Sequence, residues 1–110
     1  MNILISGGTG YIGSNLIKKL SNKGHNITCL YNNTDPFVFG KNINWVKYDG
    51  TLDSLFTIKT KIDVIVHLAT LFSQKNLIEL IDKMILSNIL FGVHLLEYAK
   101  KHNIKYFINT

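Results

Sequence analysis

Short apolar runs alternate along this chain with longer stretches in which apolar residues recur every three or four positions. The runs predict β-strands, and the recurring positions predict amphipathic helices. We expect strands near residues 2–6, 26–31, 44–48, 63–68 and 105–109, and helices near 11–22, 52–59 and 76–101. This alternation favours an α/β fold with one parallel sheet covered on both faces. Right-handed crossovers then predict a doubly wound sheet with strand order 3-2-1-4-5.

The segment that joins the first strand to the first helix reads SGGTGYIG, residues 6–13. Its glycines match the spacing G-x-G-x-x-G of a dinucleotide-binding turn. We expect Gly7 and Gly8 to permit the sharp turn, Gly10 to let the backbone approach a pyrophosphate, and Gly13 to let the helix pack closely on the sheet. The positive end of the helix would then bind the pyrophosphate. A glycine-rich turn that merely connects two elements is the alternative.

The spacing Gly7-x-x-Gly10-x-x-Gly13 and the wording GGTGYIG resemble the extended short-chain dehydrogenase/reductase superfamily, which includes the NAD-dependent epimerases, dehydratases and reductases of nucleotide sugars. The resemblance implies a Rossmann-type fold, an NAD or NADP cofactor and a nucleotide-sugar substrate. It assigns cofactor binding to Gly7, Gly8, Thr9, Gly10, Tyr11, Ile12 and Gly13. It covers all 110 residues but only the first part of such a protein. We therefore expect residues 1–110 to form a truncated NAD(P)-binding domain, with the substrate-binding portion absent.

The residue at the end of the second strand determines whether NAD or NADP is preferred. A carboxylate there accepts a hydrogen bond from the 2′-hydroxyl of the adenosine ribose and repels the 2′-phosphate of NADP. That position is Tyr31, followed by Asn32, and both are assigned to the cofactor site. Asp35 lies near the customary distance from the glycines, but in the loop beside Pro36. With neither an acid nor an arginine at the strand end, the sequence favours NADP over NAD.

Polar residues also follow the third strand. Asp49 and Gly50 follow the third strand. In the family that the chain resembles, an aspartate after this strand accepts a hydrogen bond from the adenine amino group of the cofactor. The resemblance therefore assigns Asp49 and Gly50 to the cofactor site. The alternative is that Asp49 or Thr51 caps the short helix that follows.

The fourth strand ends in His67-Leu68-Ala69-Thr70, which resembles the family sequence His-Leu-Ala-Ala. The resemblance implies that Leu68, Ala69 and Thr70 line the cofactor. His67 lies in an apolar run, where a hydrogen-bonded core histidine is favoured over a catalytic one. The segment from Asn88 to Glu97 resembles the family's long helix, and the resemblance implies that Asn88 supports the active site from beneath; a bond to a neighbouring carbonyl is the alternative.

The family's general acid and base is a tyrosine followed four positions later by a lysine. None of the five tyrosines here has that partner, and the catalytic serine or threonine would lie just past the fifth strand. No catalytic residue is assigned, and we expect the chain to be inactive alone. The segments HLAT and FINT most resemble CDP-4-keto-sugar reductases of the abequose-synthase type. A non-catalytic NAD(P)-binding sensor or regulatory module is the alternative, and a poorly folded remnant with an uncovered fifth strand is another.

The composition of the chain bears on whether it binds nucleic acid, membranes or metal ions. All twelve basic residues are dispersed lysines, so the net charge of +5 indicates a solvated surface and no nucleic-acid site. The absence of a long apolar run and of a leader indicates no membrane partner and a cytoplasmic location. Cys29 is expected to be a buried apolar residue, and no metal site is assigned, since His25, His94 and His102 lack partners at ligand spacing. The sequence leaves the oligomeric state open.

Overall fold

The computed structural model describes residues 1–70 and 78–110. The strands are β1 (Asn2–Ser6), β2 (Asn26–Tyr31), β3 (Ile43–Lys47), β4 (Val64–His67) and β5 (Tyr106–Asn109). The first two helices are α1 (Tyr11–Asn22) and α2 (Leu52–Leu55). A long helical stretch follows, made of α3 (Ile78–Ile85), a π-helical segment (Leu86–Leu90) and α4 (Phe91–Lys101).

The five strands form one parallel sheet in the order β3-β2-β1-β4-β5. The predicted doubly wound, Rossmann-type architecture is therefore confirmed. In the register, Ser6 at the end of β1 pairs with Leu30 on one side and with His67 on the other. The carboxyl ends of β1, β2 and β4 thus meet at one edge, where the chain switches direction across the sheet and where such folds bind ligands.

The sheet carries an apolar layer on each face, because alternate strand residues point to opposite sides. On one face α1 packs through Ile17 against Ile3 and Ile5. On the other, α2 and α4 pack against residues such as Leu4 and Ile65. Cys29 is fully buried on the α1 side, and burial raises the pKa of its thiol to about 12. It is the apolar core residue that the sequence predicted.

Helix α2 is shorter than the predicted helix 52–59. Phe56 is its C-cap, and the Thr57 hydroxyl donates to the Ser54 carbonyl at 2.8 Å. A side-chain donor at that carbonyl competes with the backbone bond that would extend the helix. The predicted start of the last helix, at residue 76, lies outside the described residues.

Within residues 1–70 and 78–110, none of the helices combines the length and the apolar content needed to cross a bilayer.

Candidate functional site

The turn between β1 and α1 is built around Gly7, whose φ is +76°. The Gly10 N–H donates to the Gly7 carbonyl oxygen at 3.1 Å and closes the turn. A Cβ at Gly13 would overlap that same carbonyl oxygen, and a Cβ at Gly7 would lie 2.7 Å from the Ala69 nitrogen. Gly7 therefore allows both the left-handed turn and the close approach of β4, while Gly13 lets the first turn of α1 contact the Gly7 carbonyl.

The structure gives Gly8 and Gly13 roles that differ from those expected from the sequence. A Cβ at Gly8 would meet the Ile17 side chain at 2.7 Å and the Trp45 ring at 3.1 Å, so this glycine makes room for packing and is not required by the turn. Gly13 packs on the turn itself and not on the sheet. At Gly10 the nearest atom to an added Cβ is the Gly7 carbonyl oxygen, at 3.4 Å. The other side of Gly10 is open space, as a closely approaching ligand requires.

Helix α1 begins without a capping side chain. Its N-cap is Gly10, its first turn holds no acidic residue, and its first backbone bond runs from the Ser14 N–H to the Gly10 carbonyl at 2.9 Å. The N–H groups of Tyr11, Ile12 and Gly13 precede that bond and have no partner within the helix. Tyr11 and Ile12 are 86% and 70% exposed. Gly13 is buried, so the exposed start of α1 is at Tyr11 and Ile12, where the positive end of the helix dipole favours an anion.

A cavity of about 460 Å³ lies at the carboxyl edge of the sheet, within the size range of ligand sites. Eight residues assigned from the sequence line it: Gly7, Thr9, Tyr31, Asn32, Asp49, Gly50, Ala69 and Thr70. The structure thereby brings together residues at or just after the carboxyl ends of β1, β2, β3 and β4. Seven assigned residues do not line it: Gly8, Gly10, Tyr11, Ile12, Gly13, Leu68 and Asn88.

The cavity has further lining residues that the sequence did not indicate. They are Leu30, Asn33, Thr34 and Tyr48, and from the long helical stretch Lys83, Leu86, Ser87, Leu90 and Phe91. The helical members recur every three or four residues, which is the signal of one helix face. The sequence could not show that this helix face lines the cavity, because that depends on how the helix lies over the sheet.

The end of β2 presents neutral polar groups. Asn32, Asn33 and Thr34 line the cavity, whereas Asp35 is exposed and does not. The Tyr31 ring packs edge-on against Trp45, with 6.3 Å between the ring centroids. No carboxylate among the described residues therefore faces the cavity from this strand end.

Asp49 lines the cavity and is bonded to Thr51, the residue that caps α2. Its Oδ1 accepts from the Thr51 backbone N–H at 2.9 Å and from the Thr51 hydroxyl at 2.5 Å, while its residue lines the cavity. These bonds from Thr51 hold the pKa of the Asp49 carboxyl below its usual value, so a carboxylate stands at the rim. Thr51 is the N-cap of α2, since its Oγ1 accepts from the Ser54 N–H at 3.3 Å.

His67 is a buried, hydrogen-bonded core histidine, as the sequence predicted. The Ser6 Oγ accepts from the N–H groups of Leu68 and Ala69 at 3.0 and 3.1 Å, so its one hydrogen is donated to His67 Nδ1 at 2.6 Å. The ring is then neutral, with its proton on Nε2. Burial also lowers the pKa of His67. Ser6 in this way fixes the β4 end that lines the cavity.

Tyr48 and Phe91 form the aromatic floor of the cavity. Their rings stack with centroids 3.9 Å apart and planes 6° apart, and the Tyr48 hydroxyl lies 2.8 Å from His94 Nδ1. Burial, and then the charge of Asp49, raise the pKa of Tyr48.

Asn88 contacts the cavity wall indirectly. Its Oδ1 accepts from the Thr70 hydroxyl at 3.1 Å, which links the π-helical segment to the end of β4.

The described parts of the chain contain no group of three His, Cys, Asp or Glu side chains placed to hold a metal ion.

The chain matches the model of the NAD dependent epimerase/dehydratase family over residues 3–110, and it belongs to that family. It is 28% identical to the CDP-abequose synthase of Salmonella muenchen, over 98% of this chain and 36% of that protein. It is 33% identical to the dTDP-D-glucose 4,6-dehydratase of Dictyostelium discoideum, over 96% of this chain and 27% of that protein.

Solved structures show the same fold. The UDP-glucose 4-epimerase of Thermotoga maritima superposes with a TM-score of 0.82 at 26% identity, over 99% of this chain and 37% of that one. The Bordetella bronchiseptica enzyme WbmH, solved with NAD+, gives a TM-score of 0.79 at 21% identity, over 96% of this chain and 37% of that one. The chain spans about a third of the length of these relatives.

Proposed function

We propose that this chain is the NAD(P)-binding, amino-terminal part of a nucleotide-sugar epimerase, dehydratase or reductase. The observation that carries the proposal is the β1–α1 turn, in which Gly10 opens onto free space next to an uncapped helix end, while Gly7 and Thr9 of the same turn line the cavity. A cradle of this shape suits a diphosphate, because backbone N–H groups and the helix dipole both favour negative charge. Membership in the NAD-dependent family supports the same ligand.

The cavity and the turn beside it suit different parts of the cofactor. The N–H groups of Tyr11, Ile12 and Gly13, which lie outside the lining, would hold the pyrophosphate, and Lys83 is the cation among the described lining residues. Asp49 and the residues after β2 would bind the adenosine. Ala69 and Thr70 would line the side towards the nicotinamide. When bound, the cofactor supplies hydride transfer.

For the choice of cofactor we propose that the site accepts NADP. The groups after β2 that line the cavity are amides and a hydroxyl, which can donate to a 2′-phosphate, and Asp35 lies outside the lining. The neighbour WbmH was solved with NAD+, so NAD is the competing cofactor for the titration below.

For the complete protein we propose reduction of a CDP-4-keto sugar. The support is the resemblance of HLAT and FINT to reductases of the abequose-synthase type, together with the 28% identity to CDP-abequose synthase. When bound, the cofactor would supply the hydride for this reduction, and a tyrosine of the complete protein would supply the proton. The test is turnover of a CDP-4-keto sugar with NADPH by the product of the complete reading frame.

Calorimetric titration of the 110-residue chain with NADPH and with NADH tests the cofactor site. We expect saturable binding that Gly10→Ala weakens about tenfold and Gly10→Val abolishes, since a side chain there occupies the space of the pyrophosphate. Gly40→Ala is the matched control, because Gly40 lies away from the cavity and its added Cβ meets only flexible side chains. Binding that survives Gly10→Val would overturn the proposed cradle.

A further inference from the structure

The long helical stretch presents one face to the cavity, and Lys83 lies on that face. Lys83, Ser87 and Phe91 follow one another at intervals of four residues, and all three line the cavity. Phe91 fixes where this face lies, because its ring stacks on Tyr48, just past the end of β3, with 3.9 Å between the ring centroids. The face therefore lies over the β3 end of the cavity.

A different face of the same helical stretch is directed towards β4. There the Asn88 Oδ1 accepts from the Thr70 hydroxyl, just past the end of β4, at 3.1 Å. Lys83 precedes Asn88 by five positions, which is a rotation of about 100–140° around the helix axis, depending on how much of the turn is π-helical. Lys83 is thus turned away from the β4 end of the cavity and towards the ends of β2 and β3.

Among the described residues that line the cavity, those that follow β2 and β3 carry no positive charge. Asn32, Asn33 and Thr34 supply neutral polar groups after β2, and Asp49 supplies a carboxylate after β3. The chain contains no arginine. A phosphate group bound at this end of the cavity would therefore find its cation in Lys83, across the cavity on the helix. An ammonium group binds phosphate oxygens as a point charge and needs no fixed orientation to do so.

We propose that Lys83 binds the 2′-phosphate of NADP and is the residue through which this site prefers NADP to NAD. The inference rests on the proposed function, because it requires a dinucleotide in this cavity with its adenosine at the ends of β2 and β3. In Rossmann folds the group that selects the cofactor usually follows β2. Here the selecting charge comes from the helix that covers the cavity, and the neutral groups after β2 donate hydrogen bonds to the same phosphate.

Calorimetric titrations of the 110-residue chain with NADPH and with NADH test this role. Lys83→Met removes the charge and keeps an unbranched side chain. We expect it to weaken NADPH binding about tenfold and to leave NADH binding unchanged, because only NADPH carries the 2′-phosphate. Lys83→Arg keeps the charge and should retain NADPH binding. The matched control is Lys100→Met, which removes an exposed lysine of the same helical stretch outside the cavity and should leave both affinities unchanged.

Three results would overturn the inference. They are unchanged NADPH binding in Lys83→Met, an equal loss of NADPH and NADH binding in that variant, which would place the ammonium group at the pyrophosphate, and an equal loss in Lys100→Met, which would indicate a general effect of charge. Failure of the proposed function has a different signature: the unaltered chain would bind neither dinucleotide, and the role of Lys83 would fall with it. Binding of both dinucleotides that Gly10→Val abolishes and Lys83→Met leaves unchanged would count against the role of Lys83 alone.

Discussion

At the scale of single residues, Ser6 and His67 show what a sequence can and cannot reveal. The apolar run around His67 predicts a core histidine, and its burial confirms this. Nothing local identifies Ser6 as its partner, since the two are 61 positions apart and meet only through the pairing of β1 with β4. The same is true of Tyr48, whose place in the cavity depends on Phe91 from a distant helix.

Ser6→Ala should lower the free energy of unfolding by about 2–3 kcal/mol, because it leaves the buried His67 Nδ1 and the half-buried Ala69 N–H without their shared partner. Urea denaturation measures the change. Ser14→Ala is the matched control: Ser14 is also buried, but its hydroxyl only donates to a helix carbonyl, at 3.1 Å from Tyr11, so the loss should be smaller. Equal losses in the two variants would contradict the role assigned to Ser6.

Asn32→Asp should reverse the choice of cofactor. A carboxylate at this lining position would repel a 2′-phosphate and accept a bond from a 2′-hydroxyl, so NADPH should bind about tenfold more weakly, or about 1.4 kcal/mol, while NADH is retained. Asn44→Asp adds the same charge at an exposed position of β3 outside the cavity and should leave both affinities unchanged. An equal loss of NADPH binding in both variants would indicate a general effect of charge.

At the scale of elements, the β1–turn–α1 unit could be predicted because its signal lies within eight consecutive residues. The role of Gly8 could not, because its neighbour Trp45 comes from β3. The long helix was predicted from its apolar positions, among them Ile81, Ile85 and Ile89. Residues four apart do not stay on one face of an α-helix, because the helix has 3.6 residues per turn. A π turn is wider and brings such residues closer to the same face. Periodicity alone did not indicate that segment.

Gly13→Ala and Gly10→Ala should separate folding from binding. The first places a methyl group on the Gly7 carbonyl and should destabilise the chain by about 2–3 kcal/mol, as an overpacked site does. The second meets nothing closer than 3.4 Å and should cost at most about 1 kcal/mol, the scale of an N-cap change. Thermal unfolding compares the two. If Gly10→Ala proved the more destabilising, open space at Gly10 would be the wrong description.

At the scale of the whole molecule, the sheet order could be predicted because crossover handedness leaves few arrangements of five parallel strands. The same rule places the strand ends together, so eight of the residues assigned from the sequence line one cavity. Five further lining residues come from the long helix and could be assigned only once its position over the sheet was known.

The stability of the whole fold should fall as the pH drops from about 7 to about 5. Burial lowers the pKa of His67 in the folded chain, whereas in the unfolded chain it titrates near its ordinary value of about 6.5. Below that value the unfolded state binds a proton that the folded state does not, so acid favours unfolding. Asp49 is an acid whose pKa is lowered in the folded chain, so its carboxylate adds stability that is lost only at a pH below this range.

Urea midpoints at the two pH values measure the effect. His67→Gln should flatten the dependence while His25→Gln, at a position outside the core, should retain it. An unchanged slope in His67→Gln would show that another group carries the dependence.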